Sequence, residues 1–351
     1  MALQFMTGFD YYDQTQTGRV WTLGAGGNSL VPGRFGGRGW IFNNEAAYLS
    51  TIIPNASTTV VGFALALQYG DATNPILVLE DATLSRTSPI TQVDMRIAAD
   101  GTFQFTRNGT IIASSPPFVF TFSTLTTTAW NYIELKTFID NSTGYVDLRV
   151  GGQTFLNATG LDTQYSGNNY VNMVRFQPFA GYGGVGANQY QMKMDDIYVL
   201  DDTGLSPNNT FLGECRIQTQ FPTANGETNN FSVIGAANNW QAVDETVSDD
   251  DATYVRSGVV GSIDDYIMGT VALTGTIYGV QLNLTHRKDD VGTRTITPTI
   301  KSAGTFYEGA LFPCQSNYTV AQNLWPLEPH ANAPWTNTSV NAITAGIKIK
   351  A

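Results

Sequence analysis

The sequence predicts an all-β protein of two sandwich domains with little helix. Three observations lead there. Apolar–polar alternation with a period of two recurs in short segments along the chain, which marks strands with one buried face. Asp-Gly, Asn-Gly and Gly-Gly pairs separate several of these segments, and such pairs supply the positive φ that tight hairpin turns require. No long stretch keeps the 3.6-residue period of an amphipathic helix.

Taken in order, Thr59–Gln68 is a continuous apolar run with β-branched residues, fitting a strand buried on both faces. Gln92–Ala98 and Thr102–Arg107 alternate around Asp100-Gly101, and Asn108-Gly109 turns the chain into Thr110–Ala113. That span reads as a three-stranded meander. Asn131–Ile139 alternates strictly, Tyr145–Val150 returns through Gly151-Gly152 to Gln153–Leu156, and Asn172–Pro178 and Gln191–Leu200 complete the set. Glu45–Leu49 suits a short turn. Asp201–Phe211 concentrates Asp, Gly, Pro and Asn and reads as the joint between domains. The expected division is therefore 1–204, a first β-sandwich, and 205–351, a second β-domain for docking or oligomerisation. In the latter, strand signals lie at Glu214–Gln220, Ser232–Ile234, Thr253–Arg256, Tyr266–Leu273, Ile277–Thr285, Thr293–Lys301, Thr305–Phe312 and Ala342–Lys350.

Composition narrows the function. The chain has 351 residues, 42% hydrophobic, enough for about two domains with real cores. Only 13% are charged, against about 25% in a typical soluble domain, so Thr, Asn, Ser, Gln and Gly must cover the surface. The net charge of −11 argues against nucleic acid as a partner, since phosphate binding needs clustered Lys and Arg. The longest basic run, His286-Arg287-Lys288, is followed at once by Asp289-Asp290. No apolar run approaches the roughly 20 residues of a membrane span, and Met1–Gly8 lacks the regions of a signal peptide. Synthesis in a cytoplasm is expected, with inert sequons. Cys215 and Cys314 read either as two buried thiols or as one disulfide.

A search for chemistry finds little. Sandwich glycoside hydrolases need two carboxylates on one strand face, flanking one glycosidic bond; Glu134-Leu135-Lys136 and Gln92-Val93-Asp94 do not supply the pair. His286 and His330 sit in a charged turn and a Pro-rich loop, where surface positions are expected, and no G-x-S-x-G elbow accompanies them. Gly33–Gly39 (GRFGGRG) fits turns with close backbone packing, or else Arg34 and Arg38 reaching an acidic partner. Catalytic residues are therefore not expected, and neither is a cofactor other than calcium. Calcium needs several oxygens converging from neighbouring loops. Its candidate ligands are Asp195 and Asp196 at one strand, and Asp249, Asp250 and Asp251 in an acidic loop. The alternatives are carboxylates that cap backbone amides and a solvated acidic turn. Tyr182, in the glycine-rich Gly181–Gly186, is the candidate for stacking on a glycan.

Several segments resemble a known family. Trp130-Asn131-Tyr132-Ile133-Glu134-Leu135-Lys136, then Gly144–Gly152, then Asp195-Asp196-Ile197-Tyr198-Val199 are similar to the ordered strands of concanavalin A-like and laminin G-like jelly-roll sandwiches. The resemblance implies that fold for the first domain. Across the joint, Pro207–Glu214, Pro222–Gly226, Asn239–Glu245 and Asp249–Val255 resemble, in that order, a two-domain structural protein of tailed-phage and prophage particles. This second resemblance covers nearly the whole chain. It implies a structural component of a bacteriophage virion, on capsid or tail, made in the host cytoplasm and released with the particle. Self-association, with a trimer as the guess, and docking on capsid or tail proteins are its expected actions. A tail adhesin that binds host glycans is the alternative.

Overall fold

The computed structural model describes residues 3–24, 28–42, 46–67, 74–120, 129–178, 192–272 and 274–351. The protein is all-β, with jelly-roll-type antiparallel sheets stacked as a sandwich. The chain divides into two compact units, Met1–Asp10 with Trp21–Ile217, and Tyr11–Val20 with Gln218–Ala351.

The strands of the first unit are β1 (Leu3–Thr7), β2 (Thr22–Leu23), β3 (Asn28–Pro32), β4 (Arg38–Phe42), β5 (Leu49–Ala56), β6 (Thr58–Leu67), β7 (Leu77–Asp81), β8 (Ile90–Ile97), β9 (Thr102–Arg107), β10 (Thr110–Pro117), β11 (Asn131–Phe138), β12 (Gly144–Val150), β13 (Gln153–Leu161), β14 (Val171–Phe176) and β15 (Met192–Asp201). They form two antiparallel sheets. One has the order β13-β12-β11-β6-β15-β4-β3, with β1 also on β15; the other has β10-β9-β8-β7-β14-β5-β2. The core lies between them, where Phe63 of the first sheet meets Phe176 of the second at 5.4 Å between ring centroids. Each buried ring of this kind stabilises the fold by roughly 1.5–3 kcal/mol.

Every residue of β6 is buried. One face of this strand fills the core, and the other lies under side chains of the outer surface. Gly62 shows why: a Cβ there would collide with the ring of Tyr198. Its partner β15 carries a bulge. The register with β6 shifts between Asp195 and Tyr198, and Asp196 takes φ +50°. A bulge bends its strand and re-aims the side chains beside it.

The first unit runs on to Ile217, so Asp201–Phe211, read above as the joint, lies inside it. Residues 214–220 form no strand. Phe211–Ile217 instead crosses the outside of the eight-stranded sheet, held by side chains of β11, β12 and β15 described below.

The second unit contains β16 (Pro222–Asn229), β17 (Ser232–Ile234), β18 (Tyr254–Arg256), β19 (Ile263–Met268), β20 (Val280–His286), β21 (Thr295–Ser302), β22 (Thr305–Glu308), β23 (Phe312–Pro313), β24 (Thr319–Trp325) and β25 (Thr344–Ile349). A sheet of order β16-β19-β25-β21-β22, with β23 on β21, accompanies the pairs β17-β18 and β20-β24. One cluster of buried residues joins Phe231, Ile296, Cys314, Ala321 and Ile349. Another joins Ile300, Trp325, Trp335 and Ile343, and the Trp335 indole N–H donates to the Trp325 carbonyl at 2.9 Å. The short helix Asn337–Asn341 is capped by Thr336, whose hydroxyl accepts the Ser339 amide. Among the described residues no helix is long and apolar enough to cross a membrane.

Tyr11–Val20 completes this unit from far away in sequence. The Gln16 side-chain amide donates to the Ser248 carbonyl at 2.6 Å, and the Gln322 amide donates to the Tyr11 hydroxyl at 2.9 Å. Arg19 donates to both oxygens of Asp250, at 2.7 and 2.6 Å. A fragment beginning at residue 218 lacks all three contacts. It is expected to melt below the second-unit transition of the whole chain. Arg19→Ala in the whole chain is expected to lower that transition alone, by about 1 kcal/mol for a partly exposed bidentate pair. Differential scanning calorimetry of the three proteins checks this, and coincident midpoints would contradict it.

Candidate functional site

The bulge in β15 sets the two carboxylates that the sequence singles out. Asp195 accepts the Arg34 amide at 2.7 Å through Oδ2 and the Asp196 amide at 2.8 Å through Oδ1. Asp196 accepts the Ile217 amide at 2.7 Å. A third carboxylate, Asp10, accepts the Arg38 amide at 2.6 Å. Gly33 and Gly37 leave no room for side chains, because a Cβ at either would strike Asp195 or Asp10. The close backbone packing and one of the two arginines expected to reach acidic groups, Arg34, therefore meet in one hairpin. Its backbone packs closely on carboxylates, and the Arg34 guanidinium pairs with Glu214 and lies 3.7 Å from Asp196 Oδ2.

Burial pushes Asp195 up to about 7, with the charge of Asp196 adding to it. Burial also raises Asp196 to about 6, against the opposing pull of the Ile217 amide and Arg34. The arrangement clamps backbone: one carboxylate holds the hairpin, the next holds the end of Phe211–Ile217.

The same segment is held by Glu134, which is fully buried. Its Oε1 accepts the Tyr198 hydroxyl at 2.5 Å and the Gly213 amide at 2.8 Å. The Tyr198 hydroxyl in turn accepts the Leu212 amide at 3.2 Å. Arg149 of β12 lies 4.0 Å from the Phe211 ring centroid. Burial raises the Tyr132 and Tyr198 hydroxyls well above their ordinary value and pushes the Cys215 thiol up to about 12. All three stay protonated near neutral pH. Cys215 and Cys314 are both free thiols.

In the second unit the acidic loop diverges. Asp249 accepts from the Thr253 amide and hydroxyl. Asp250, at φ +58°, takes Arg19 and the Ser248 hydroxyl. Asp251 takes Arg287 at 2.6 Å and the Tyr318 hydroxyl at 2.9 Å. The three carboxylates thus face three different sets of donors. Among the described residues no group of three or more His, Cys, Asp or Glu side chains is placed to hold a metal ion. Tyr182 lies outside the described residues.

His286 corrects an expectation. It ends β20 and is buried, at 8% exposure, because its partner Thr319 of β24 continues the pairing to that residue. Burial lowers its imidazole to about 4. His330 is exposed and lies 3.0 Å from the Tyr307 hydroxyl.

Sequence reasoning missed a polar row on the seven-stranded sheet. Glu80 is fully buried and pairs with Arg175 at 2.5 Å; burial outweighs that cation and lifts it to about 7. Asp94 pairs with Arg96 at 2.8 Å. The Gln92 amide donates to Ser166 and to the carbonyls of Asn168 and Tyr170, and accepts the amides of Tyr165 and Ser166. The signal was the alternate spacing of Gln92, Asp94 and Arg96 on β8, which puts them on one face. Glu80 carried no such signal within its own five-residue strand.

No family model matches the chain, and no curated protein matches it. Solved structures do. The alginate lyase Aly36B aligns with 58% of this chain and 98% of its own, at 10% identity and a TM-score of 0.36. A Trypanosoma rangeli sialidase aligns with 49% of this chain and 27% of its own, at 8% identity and 0.33. The alginate lyase vAL-1 from a Chlorella virus aligns with 53% of this chain and 95% of its own, at 8% identity and 0.33. Likeness at this level speaks to the sandwich fold alone. The expectation that the chain is not an enzyme finds no support among them: the similar solved structures include alginate lyases and a sialidase.

Two predictions follow from the buried groups. Glu80, Asp195 and Asp196 have folded values above those of an unfolded carboxylate, so the folded first unit binds protons more tightly. Their contribution to its stability is complete in acid and is lost as pH rises through about 6–7. His286 works oppositely: its stabilising contribution is complete above the ordinary histidine value and is lost as pH falls toward about 4. Calorimetry at pH 5 and 7.5 is expected to move the two units' transitions in opposite directions, with Glu80→Gln flattening the first slope and His286→Leu the second. Separately, Tyr198→Phe removes a donor from buried Glu134 and is expected to cost about 1–3 kcal/mol in urea unfolding. Gly62→Ala, which drives a methyl into the Tyr198 ring, is expected to cost about as much.

Proposed function

We propose that this chain is a structural component of a tailed-phage particle, displayed on capsid or tail, that acts by associating with copies of itself and with other virion proteins. One observation carries the reading. Among the described residues the strands that edge the two sheets of the first unit are β13, β3, β1, β10 and β2, and none of them contains Lys, Arg, Asp or Glu. The charged residues sit instead in inner strands, such as Glu80, Asp94, Arg96, Glu134, Lys136, Arg175 and Lys193. Proteins that must stay apart commonly do the reverse and place charge on their edges.

Proline ends β3 and β10, β2 has only two residues, and β1 has five. That leaves β13, nine residues without charge or proline. Its register with β12 is regular over Leu156–Thr159 and shifts on either side. So short a run pairs weakly between two dilute copies, but many weak contacts add when copies are tethered to one particle. The low charge of the whole chain and the motif order shared with phage structural proteins support the same reading.

Mass spectrometry of purified particles is expected to find the chain. Light scattering is expected to show concentration-dependent association, weakened by Asn157→Lys with Thr159→Lys, two exposed positions of β13. Particles without the chain, or association indifferent to these lysines, would count against the proposal.

A further inference from the structure

The chain contains two Asn-Gly pairs, Asn108-Gly109 and Asn225-Gly226, and the fold holds them differently. Such a pair can react with itself. The glycine nitrogen attacks the asparagine Cγ, a new N–C bond closes a five-membered imide, and the side-chain nitrogen leaves as ammonia. Water then opens the imide at either carbonyl. One product is aspartate; the other is isoaspartate, whose main chain runs through the side-chain methylene. Glycine favours the attack because no Cβ shields its nitrogen. The reaction needs a free asparagine side chain and a main-chain N–H that nothing else holds.

Asn108-Gly109 meets both needs. The two residues form the loop between β9 and β10, closed by the pairing of Thr110 with Arg107. Asn108 takes φ +47° and Gly109 φ +77°, as a two-residue hairpin turn demands. Neither the Asn108 side chain nor the Gly109 amide has a hydrogen-bond partner among the described residues. Both residues are exposed, and a Cβ on Gly109 would meet nothing. Asn225-Gly226 meets neither need. It lies within β16, where Asn225 pairs with Tyr266. The Asn225 side chain accepts the Trp240 amide at 2.9 Å, and Gly226 is packed so closely that a Cβ would strike Asp265.

We propose that Asn108 is a site of spontaneous deamidation, and that the fold protects Asn225. The product matters because of where it forms. Arg107, the residue before the turn, pairs with Asp162 at 3.0 Å, one position past the end of β13, so the turn stands beside the uncharged edge. Arg107 is thereby already neutralised, and a carboxylate at position 108 adds an unpaired negative charge. Isoaspartate goes further: its extra main-chain atom breaks the two-residue loop that sets the register of β10. Both changes act against edge-to-edge pairing. Deamidation is then a clock that loosens association between copies. This consequence rests on the edge reading given above, whereas the modification itself does not.

Peptide mapping by mass spectrometry, on the full chain held at 37 °C and pH 8, tests the site. Asn108 is expected to exchange ammonia for water at least about tenfold faster than Asn225, the ratio that about 1.4 kcal/mol on the barrier gives. In urea, where no tertiary contact remains, the two are expected to convert at similar rates. Equal conversion in the folded chain, or none at Asn108, would overturn the assignment. A difference that persists in urea would belong to the local sequence and overturn the protective role of the fold. Asn108→Asp supplies the charge without the reaction. It is expected to weaken association severalfold in light scattering while leaving the melting curve unchanged. Association indifferent to Asn108→Asp but weakened by Asn157→Lys with Thr159→Lys would overturn the clock and keep the edge. Indifference to all three substitutions would defeat the edge reading itself, and the clock with it, and leave the modification site standing.

Discussion

The first unit depends on buried carboxylates that accept backbone amides. Asp195, Asp196 and Glu134 hold a hairpin and a seven-residue segment against one sheet. Taking a carboxylate out of water is costly, and hydrogen bonds must offset that cost. Here the donors are mostly main-chain N–H groups with no strand partner. The pairing works in both directions: the carboxylates need the amides, and Phe211–Ile217, outside any ladder, needs the carboxylates. The bulge at Asp196 makes this possible. A regular β15 would place Asp195 and Asp196 on opposite faces of the sheet, whereas the bulge lets one hold the Arg34 amide and the next hold that of Ile217.

Strands with one clear buried face were legible in the sequence. β8, β9, β11 and β12 lie within a few residues of the alternating runs, and β6 coincides with the continuous apolar run. The strands not anticipated have a physical reason in common. β3 and β4 flank a glycine-rich hairpin whose turn is set by Asp10 and Asp195, not by its own residues. β5 contains Pro54, and β7 is five residues buried throughout, so neither shows a period of two. The opposite error fell at Glu214–Gln220. Its alternation suggests a strand, but it joins no ladder, and its Ile217 amide meets the Asp196 side chain instead.

The candidate site was legible in its residues and hidden in its partners. Asp195, Asp196 and the three aspartates of the acidic loop stand out in a chain of low charge. That Arg19 neutralises Asp250 from 231 positions away, or that Arg287 and Tyr318 share Asp251, is a property of packing that no local window contains. A run of three adjacent aspartates suggests convergence on one cation. A loop with Asp250 in the left-handed region sends the three side chains apart, and each finds its own donor.

Where the charges sit connects architecture to action. Ion pairs within inner strands, such as Glu80 with Arg175, add little net stability because desolvation consumes much of their attraction. Their value is geometric: a strand shifted by one residue would carry Glu80 to the opposite face and away from Arg175, so the pair penalises the wrong register. With register fixed from inside, the edges and the outer surface are free of that duty. They carry Thr, Asn, Ser and Gln, groups that give and take hydrogen bonds at little desolvation cost. A surface of this kind makes contacts that are individually weak and insensitive to salt, since screening acts on charges and not on neutral hydrogen bonds. Such contacts become effective when they are repeated across many copies held side by side.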